Sequence, residues 1–167
     1  MKAMQQVELH EMMAARNGSV NPAMHPGEEF DLYSIPAFDR GEPDVVHGRD
    51  IGSTKQVVES GDVLLSKIVP HIRRAWIVER PKGRRLIASS EWIVFRSERT
   101  HPQYMRHVLT CDDFHIRFMG TVAGVGGSLL RARPSHVAKL KIPLPYPDDP
   151  KRSLAEQKRI AAILDKA

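Results

Sequence analysis

The chain has 167 residues, a formal net charge of +5, 41% hydrophobic and 27% charged residues, one cysteine and eight histidines. That length is one domain's worth of core, and the lone Cys111 excludes an internal disulfide and fits an intracellular, cytoplasmic protein. The first residues, with Glu8 and Glu11, lack the apolar centre of a signal peptide, and no apolar run approaches membrane-spanning length.

In chain order, "VELHEMMAA" reads as a short helical turn with Met12 and Met13 inward, followed by loops at "NGSVNP" and "HPGEE". Phe30 to Ile35 reads as a strand, and Gln56 to Val58 as another. A turn at Ser60-Gly61-Asp62 introduces a buried strand from Val63 to Ile68, which Ala75 to Val78 answers after the loop at Pro70. The turn Pro81 to Gly83 leads into Arg85 to Ala88, and Trp92 to Phe95 is rich in strand formers. Thr100 and Gln103 form a capping-box pattern ahead of a helix with Tyr104, Val108 and Leu109 on one face. Asp112 or Asp113 caps a further helix carrying Phe114, Phe118 and Val122, after which "GVGGS" breaks the pattern. Ser135 caps a short turn, and Lys139 to Leu144 is again a strand. Four prolines between Ile142 and Pro150 predict a stiff extended arm, and "SLAE", with Ser153 as N-cap and Glu156 three residues on, predicts a helix with Ile160, Ile163, Leu164 and Ala167 on one face. Such an apolar face calls for a partner. The fold class expected is mixed α+β: a mainly antiparallel twisted sheet with short helices, then the start of a long coiled-coil-type helix.

Charge is unevenly placed. Residues 1–66 hold 5 Lys/Arg against 11 Asp/Glu, residues 67–141 hold 15 against 5, and residues 142–167 hold 5 against 4. A middle third at +10 has the footprint expected of phosphate-backbone binding, and several of its cations fall in loops. The competing reading is a solvated arginine-rich surface.

Other chemistries find little support. "GVGGS" lacks the Lys-Ser/Thr pair of a phosphate loop. His10-Glu11 lacks the second histidine of a metalloprotease helix, and the remaining histidines lack metal-site spacing. Ser66, Ser89 and Ser90 have no evident base, Cys111 beside two aspartates is read as buried or inert, and Trp76, Trp92, Phe114 and Phe118 are read as core.

The order "IPLP", a short loop, then "EQKRIAAILDKA" resembles the junction between target recognition domain and conserved spacer helix in specificity subunits of type I restriction-modification systems. "GDVLLSKIVPHIRRAWIV", "IASSEWIVFR" and "GVGGSLLRARPSHVAKLKIPLP" resemble the same family's hairpin, second strand pair and glycine-serine loop. The resemblance implies a DNA target recognition domain over residues 1–150 and the start of the spacer helix over 151–167. It also implies a chain without catalysis of its own, which directs methylation and restriction subunits to a split target on double-stranded DNA. S-adenosylmethionine and ATP would sit on those partners and no cofactor here. One recognition domain and a short spacer helix imply either a fragment or a half-sized subunit, paired with a second recognition domain or a second copy through that helix.

The DNA-binding residues expected are Lys67, Arg73, Arg74, Lys82, Arg84, Arg85, Ser128, Arg131 and Arg133. Arg84 and Arg85 are assigned mainly to the phosphate backbone, while Lys67, Arg73, Arg74, Arg131 and Arg133 form the pool that holds the base readers. Gln157, Ile160, Ile163 and Leu164 are the expected partner-binding residues. The rival readings are a stand-alone adenine methyltransferase or nuclease, whose Asn/Asp-Pro-Pro-aromatic motif does not occur in the sequence, and a protein-interaction module with a basic surface.

Overall fold

A computed structural model describes residues 3–123 and 130–167; Ser128 and the rest of "GVGGS" lie outside them. The elements are β1 (Met4–Glu8), a 3-10 turn (Leu9–Met12), β2 (Ser19–Val20), a 3-10 turn (Pro22–Met24), β3 (Glu29–Tyr33), α1 (Ile35–Arg40), β4 (Asp44–His47), a 3-10 turn (Gly48–Asp50) and β5 (Lys55–Val57). There follow β6 (Val63–Ser66), β7 (Ala75–Ile77), β8 (Arg85–Ala88), β9 (Trp92–Phe95), α2 (Pro102–Thr110), α3 (Asp112–Met119), β10 (Val122–Ala123), β11 (Arg131–Ala132), α4 (Pro134–Val137), β12 (Lys141–Pro145) and α5 (Pro150–Asp165). The mixed, mainly antiparallel α+β architecture ending in a helix is the one expected.

Two sheets and three apolar layers organise the body. One sheet has the order β2-β5-β8-β3-β4, with only β3 and β8 parallel; the other has the order β7-β6-β9. Side chains alternate along each strand, so every strand serves two layers. Phe30 and Ile87 face a small outer core with Val20 and Ile51. Tyr33, Leu86 and Ala88 face the middle layer, where they meet Leu64, Trp92 and Val94 from the other sheet. Val63, Leu65, Ile93 and Phe95 turn the opposite way, onto the main core under α2, α3 and the β1–β12 ribbon. Trp92 Nε1 donates to the Tyr33 carbonyl (3.0 Å), fastening the two sheets, and Trp76 and Trp92 are core residues as predicted. Phe114 and Phe118 stack at 6.0 Å inside the main core.

Several local expectations are corrected. The strand at Phe30 stops at Tyr33, because the Ser34 hydroxyl accepts from Ala37 N–H and caps α1, which ends at Gly41 with φ +98°. "IASSEWIVFR" is not a strand pair: β8 and β9 lie in different sheets. Val122 belongs to β10 rather than to α3, whose N-cap is Cys111 with Asp112 and Asp113 in its first turn. Cys111 itself is exposed. Ser135 lies inside α4, which Arg133 precedes as N-cap.

Both capping boxes are displaced, that of α2 beside a polar contact to the buried Gln157 and that of α5 by an exposed cap further upstream. The N-cap of α2 is His101, not Thr100, and its N–H donates to Gln157 Oε1 (2.8 Å). Helix α5 starts at Pro150 with Asp149 as N-cap, four residues ahead of the expected N-cap Ser153, because the Asp149 carboxylate accepts from Arg152 N–H (3.2 Å). Ser153 is therefore buried within α5, where its hydroxyl accepts from Gln157 Nε2 (3.0 Å). Gln157 is fully buried and also donates to the Arg99 carbonyl (2.8 Å), so its amide is used inside the chain and not on a partner. Ala161 completes this buried stripe and Ile160 packs partly on the main core, whereas Ile163 and Leu164 remain exposed.

Burial of Tyr104 gives the fold a measurable alkaline limit. Its hydroxyl donates to the Pro143 carbonyl (2.7 Å), and burial pushes its pKa from 10.0 up to about 12. A folded-state pKa above the unfolded value means that the unfolded chain loses this proton first as pH rises. The stabilisation is thus complete below pH 10 and falls between pH 10 and 12, by roughly 2–3 kcal/mol at 1.36 kcal/mol per unit. Urea unfolding across that window should show Tyr104→Phe, which has no proton to lose, declining less than the parent; parallel declines would sink the assignment.

Candidate nucleic-acid interface

The sharp contrast of charge along the sequence is largely cancelled in three dimensions. Arg84 Nε donates to buried Asp31 (2.8 Å), Arg85 makes two bonds to Glu28 (2.7 and 2.9 Å), and Arg74 makes two to Asp39 (3.0 and 3.1 Å). The parallel pairing of β3 with β8 is what brings the acidic first third onto the basic middle third at Asp31 and Glu28. The Arg85 guanidinium beside Glu28 and the Arg74 guanidinium beside Asp39 hold both carboxyls below their ordinary values. Arg74 is itself buried, so as placed it braces α1 and offers no surface to a base. Arg73 bonds Asp112 (2.6 Å) and the Thr110 carbonyl (3.0 Å), tying the loop after β6 to the start of α3. Lys82 lies with Arg84 at a cleft that also holds Asp31, Glu42, Asp44 and Glu79.

The remaining predicted cations, Lys67, Arg131 and Arg133, come together where β11 meets the chain just after β6. Lys67 N–H donates to the Glu91 carbonyl (3.0 Å), and the Lys67 carbonyl accepts from Ala132 N–H (2.8 Å). Arg131 bonds the Glu91 carboxylate (2.8 Å) and pairs with Ile68 across a single bridge. Arg133 is exposed, with Nε on the Thr121 carbonyl (3.2 Å). Lys67 and Pro134, the sequence neighbour of Arg133, line a cleft of about 410 Å³. Its floor is Trp92, Ile93 and Val94 at the edge of the three-stranded sheet, which Met13 and Ala14 extend by a bridge to Phe95 and a bond to the Val94 carbonyl (2.9 Å). Gln56 of β5 and Asn17, two residues ahead of β2, also line the cleft, together with Lys67 and Ser90.

No carboxylate lines this cleft, in contrast to the clefts at Asp31 and at Asp62. A duplex carries closely spaced phosphates, and a concave surface with a lysine and no acidic lining suits it. Sequence reading missed Asn17, Gln56 and Ser90, which carry no charge. Asn17 and Gln56 lie 39 residues apart and meet only because β2 pairs with β5.

The described residues hold no group of three or more His, Cys, Asp or Glu arranged for a metal ion, and no helix among them is long and apolar enough to cross a membrane. The Ser66 hydroxyl donates to the Ile68 carbonyl, and the Ser89 hydroxyl accepts from Glu91 N–H. Both are turn-forming bonds rather than contacts to a base.

Two sheets sharing one apolar layer, a β1–β12 ribbon and a terminal helix latched to the body define a fold that recurs among solved proteins. The HsdS subunit from Thermoanaerobacter tengcongensis superposes with a TM-score of 0.78 at 24% identity over 98% of this chain. A structure from work on complex assembly and conformational transition of the type I R-M system matches equally well, at 23% identity over 98%. The type I restriction-modification S subunit from M. genitalium matches at 0.58 and 9% identity over 97%. The sequence resemblance to type I specificity subunits thus holds at the level of the fold. The chain spans 41%, 42% and 38% of the lengths of these neighbours. No protein-family model and no curated protein matches the sequence.

Proposed function

We propose that this chain is a non-catalytic, sequence-reading DNA module of a type I restriction-modification system. Residues 1–150 form the target recognition domain, and residues 151–167 begin the spacer helix. The observation that supports this reading best is the superposition of 98% of the chain on HsdS structures at a TM-score of 0.78. In this reading the module binds double-stranded DNA and sets the address for a methylation subunit and a restriction subunit, on which S-adenosylmethionine and ATP are bound. A second recognition domain or a second copy, joined through the spacer helix and the exposed Ile163 and Leu164, reads the other half of the split target. Such a protein works in the cytoplasm, where the chromosome and the partner subunits are.

Lys67, which lines the cleft without acidic lining, and the exposed Arg133, next in sequence to its lining residue Pro134, are the first choice for phosphate contacts. Arg73, Arg84, Arg85 and Arg131 would each have to exchange an internal carboxylate for a phosphate before touching DNA. The test is selection of bound sequences from a random duplex pool, followed by affinity measurements against salt. One enriched half-site is expected, with log affinity falling linearly as log salt rises, and Lys67→Ala should flatten that slope by about one unit for every sequence. Absence of enrichment would sink the recognition reading. Calorimetric titration with S-adenosylmethionine is expected to be flat; saturation at micromolar concentration would overturn the non-catalytic assignment.

A further inference from the structure

Resting on that DNA-reading function, we propose that Asn17 is a base reader of this domain, presenting its carboxamide to the adenine of one A·T pair in the major groove. The amide network fixes which way Asn17 faces. Gln56 Nε2 donates to two main-chain carbonyls, those of Ser89 (2.9 Å) and Trp92 (2.9 Å). Carbonyls only accept, so Gln56 must turn its nitrogen towards them and its Oε1 towards Asn17. Asn17 Nδ2 then donates to that Oε1 (2.8 Å), which leaves Asn17 Oδ1 and one N–H without a partner among the described residues.

A half-buried amide with one acceptor and one donor to spare, on the wall of a cleft without carboxylates, is a set of groups complementary to adenine N6–H and N7. Gln56 is held by main chain of the β8–β9 connection, so Asn17 is oriented before DNA arrives and little freedom is lost on contact. The surrounding charge suits a duplex: Arg16 precedes Asn17 and is exposed, and Lys67 shares the cleft. Guanine and the pyrimidines offer a different order of donors and acceptors at this edge, which is why the amide specifies adenine rather than binding any base.

The experiment uses the full chain and the duplex it selects. Parent protein, Asn17→Ala and the isosteric Asn17→Asp are measured against the selected target and all its single-base variants, at several salt concentrations. The expected result is that preference at one A·T position falls by about tenfold or more in both variants, while preference elsewhere is kept and, in the uncharged Asn17→Ala, the salt slope stays as it was. As a second measurement independent of any variant, 7-deazaadenine at that position should weaken parent binding by about tenfold and leave Asn17→Ala binding unchanged. If the parent selects a target but both variants keep every preference, Asn17 is not a reader and the inference is overturned. If the parent selects no target, the DNA-reading function itself fails, and the two failures are distinguishable.

Discussion

Replacing Asp62 by alanine is expected to lower the unfolding free energy by about 3 kcal/mol, the range found when one partner of a buried ion pair is removed. The Asp62 carboxylate is almost wholly buried, and both oxygens are occupied by Arg96, at 2.8 Å from Nε and 2.7 Å from Nη2. One of them also accepts from Glu59 N–H (2.8 Å), closing the turn at Gly61, whose φ is +89°. A single carboxylate therefore holds the start of the β6–β7 hairpin to the end of β9, and its loss leaves the Arg96 guanidinium and the Glu59 N–H without their partner. Arg96 is 30% exposed, so water recovers part of the cost and keeps the figure at the lower end of the range. Urea unfolding is the measurement. A midpoint unchanged in Asp62→Ala would mean that the pair is formed in the crowded turn without stabilising it, and Asp62→Asn should fall between the two, since it keeps the shape and loses the charge.

Gly48→Ala is expected to cost a comparable amount, about 3 kcal/mol, for a purely steric reason. A Cβ on Gly48 would stand 2.1 Å from the His25 carbonyl oxygen and 2.2 Å from that of Pro22. Both obstacles are backbone, held in the 3-10 turn Pro22–Met24 and by Gly48 N–H donating to the Glu28 carbonyl (2.9 Å), so neither yields as a flexible side chain would. Either the two 3-10 turns separate or the small core of Phe30, Val20, Ile51 and Ile87 opens. Hydrogen exchange in Gly48→Ala should show protection lost first at residues 22–28 and 48–51, with the main core retained, and the melting temperature should fall by several degrees. Unaltered melting and protection would show that the close approach relaxes at no cost.

These two positions mark how far the sequence could be read. Asp62 announces itself, since Gly-Asp after a polar turn and before an apolar run is a strand entrance, and the resemblance to type I specificity subunits singles out the same pair. Gly48 carries no such sign: its constraint comes from Pro22 and His25, far back along the chain, and no local pattern records how close two backbones will pass. Helix α1 was legible and missed, because "SIPAFDRG" has a Ser N-cap, a proline in the first turn and a C-terminal glycine, the chemistry that starts and stops a helix. The two capping boxes failed for the opposite reason. At Thr100-Gln103 a tertiary contact wins, since Gln157 of α5 accepts the His101 N–H, and at Ser153-Glu156 a second local cap wins, since Asp149, four residues upstream of Ser153, accepts the Arg152 N–H.

By itself the sequence determined the buried strands β6 and β9, the turn at Gly61, the α+β class, the core aromatics and the resemblance that names the fold, all of which depend on neighbours within a few residues or on motif order. Where the charges go was decided by tertiary structure alone. Arg74, Arg84 and Arg85 look like a basic surface in sequence, yet pairing of β3 with β8 and packing of α1 set them against Asp39, Asp31 and Glu28. The cleft was decided in the same way: Asn17, Gln56, Lys67 and Ser90 are ordinary polar residues until two sheets place them around one cleft. Coulomb attraction and hydrogen bonding act across a few ångströms of space, and distance in sequence says little about which groups will be that close.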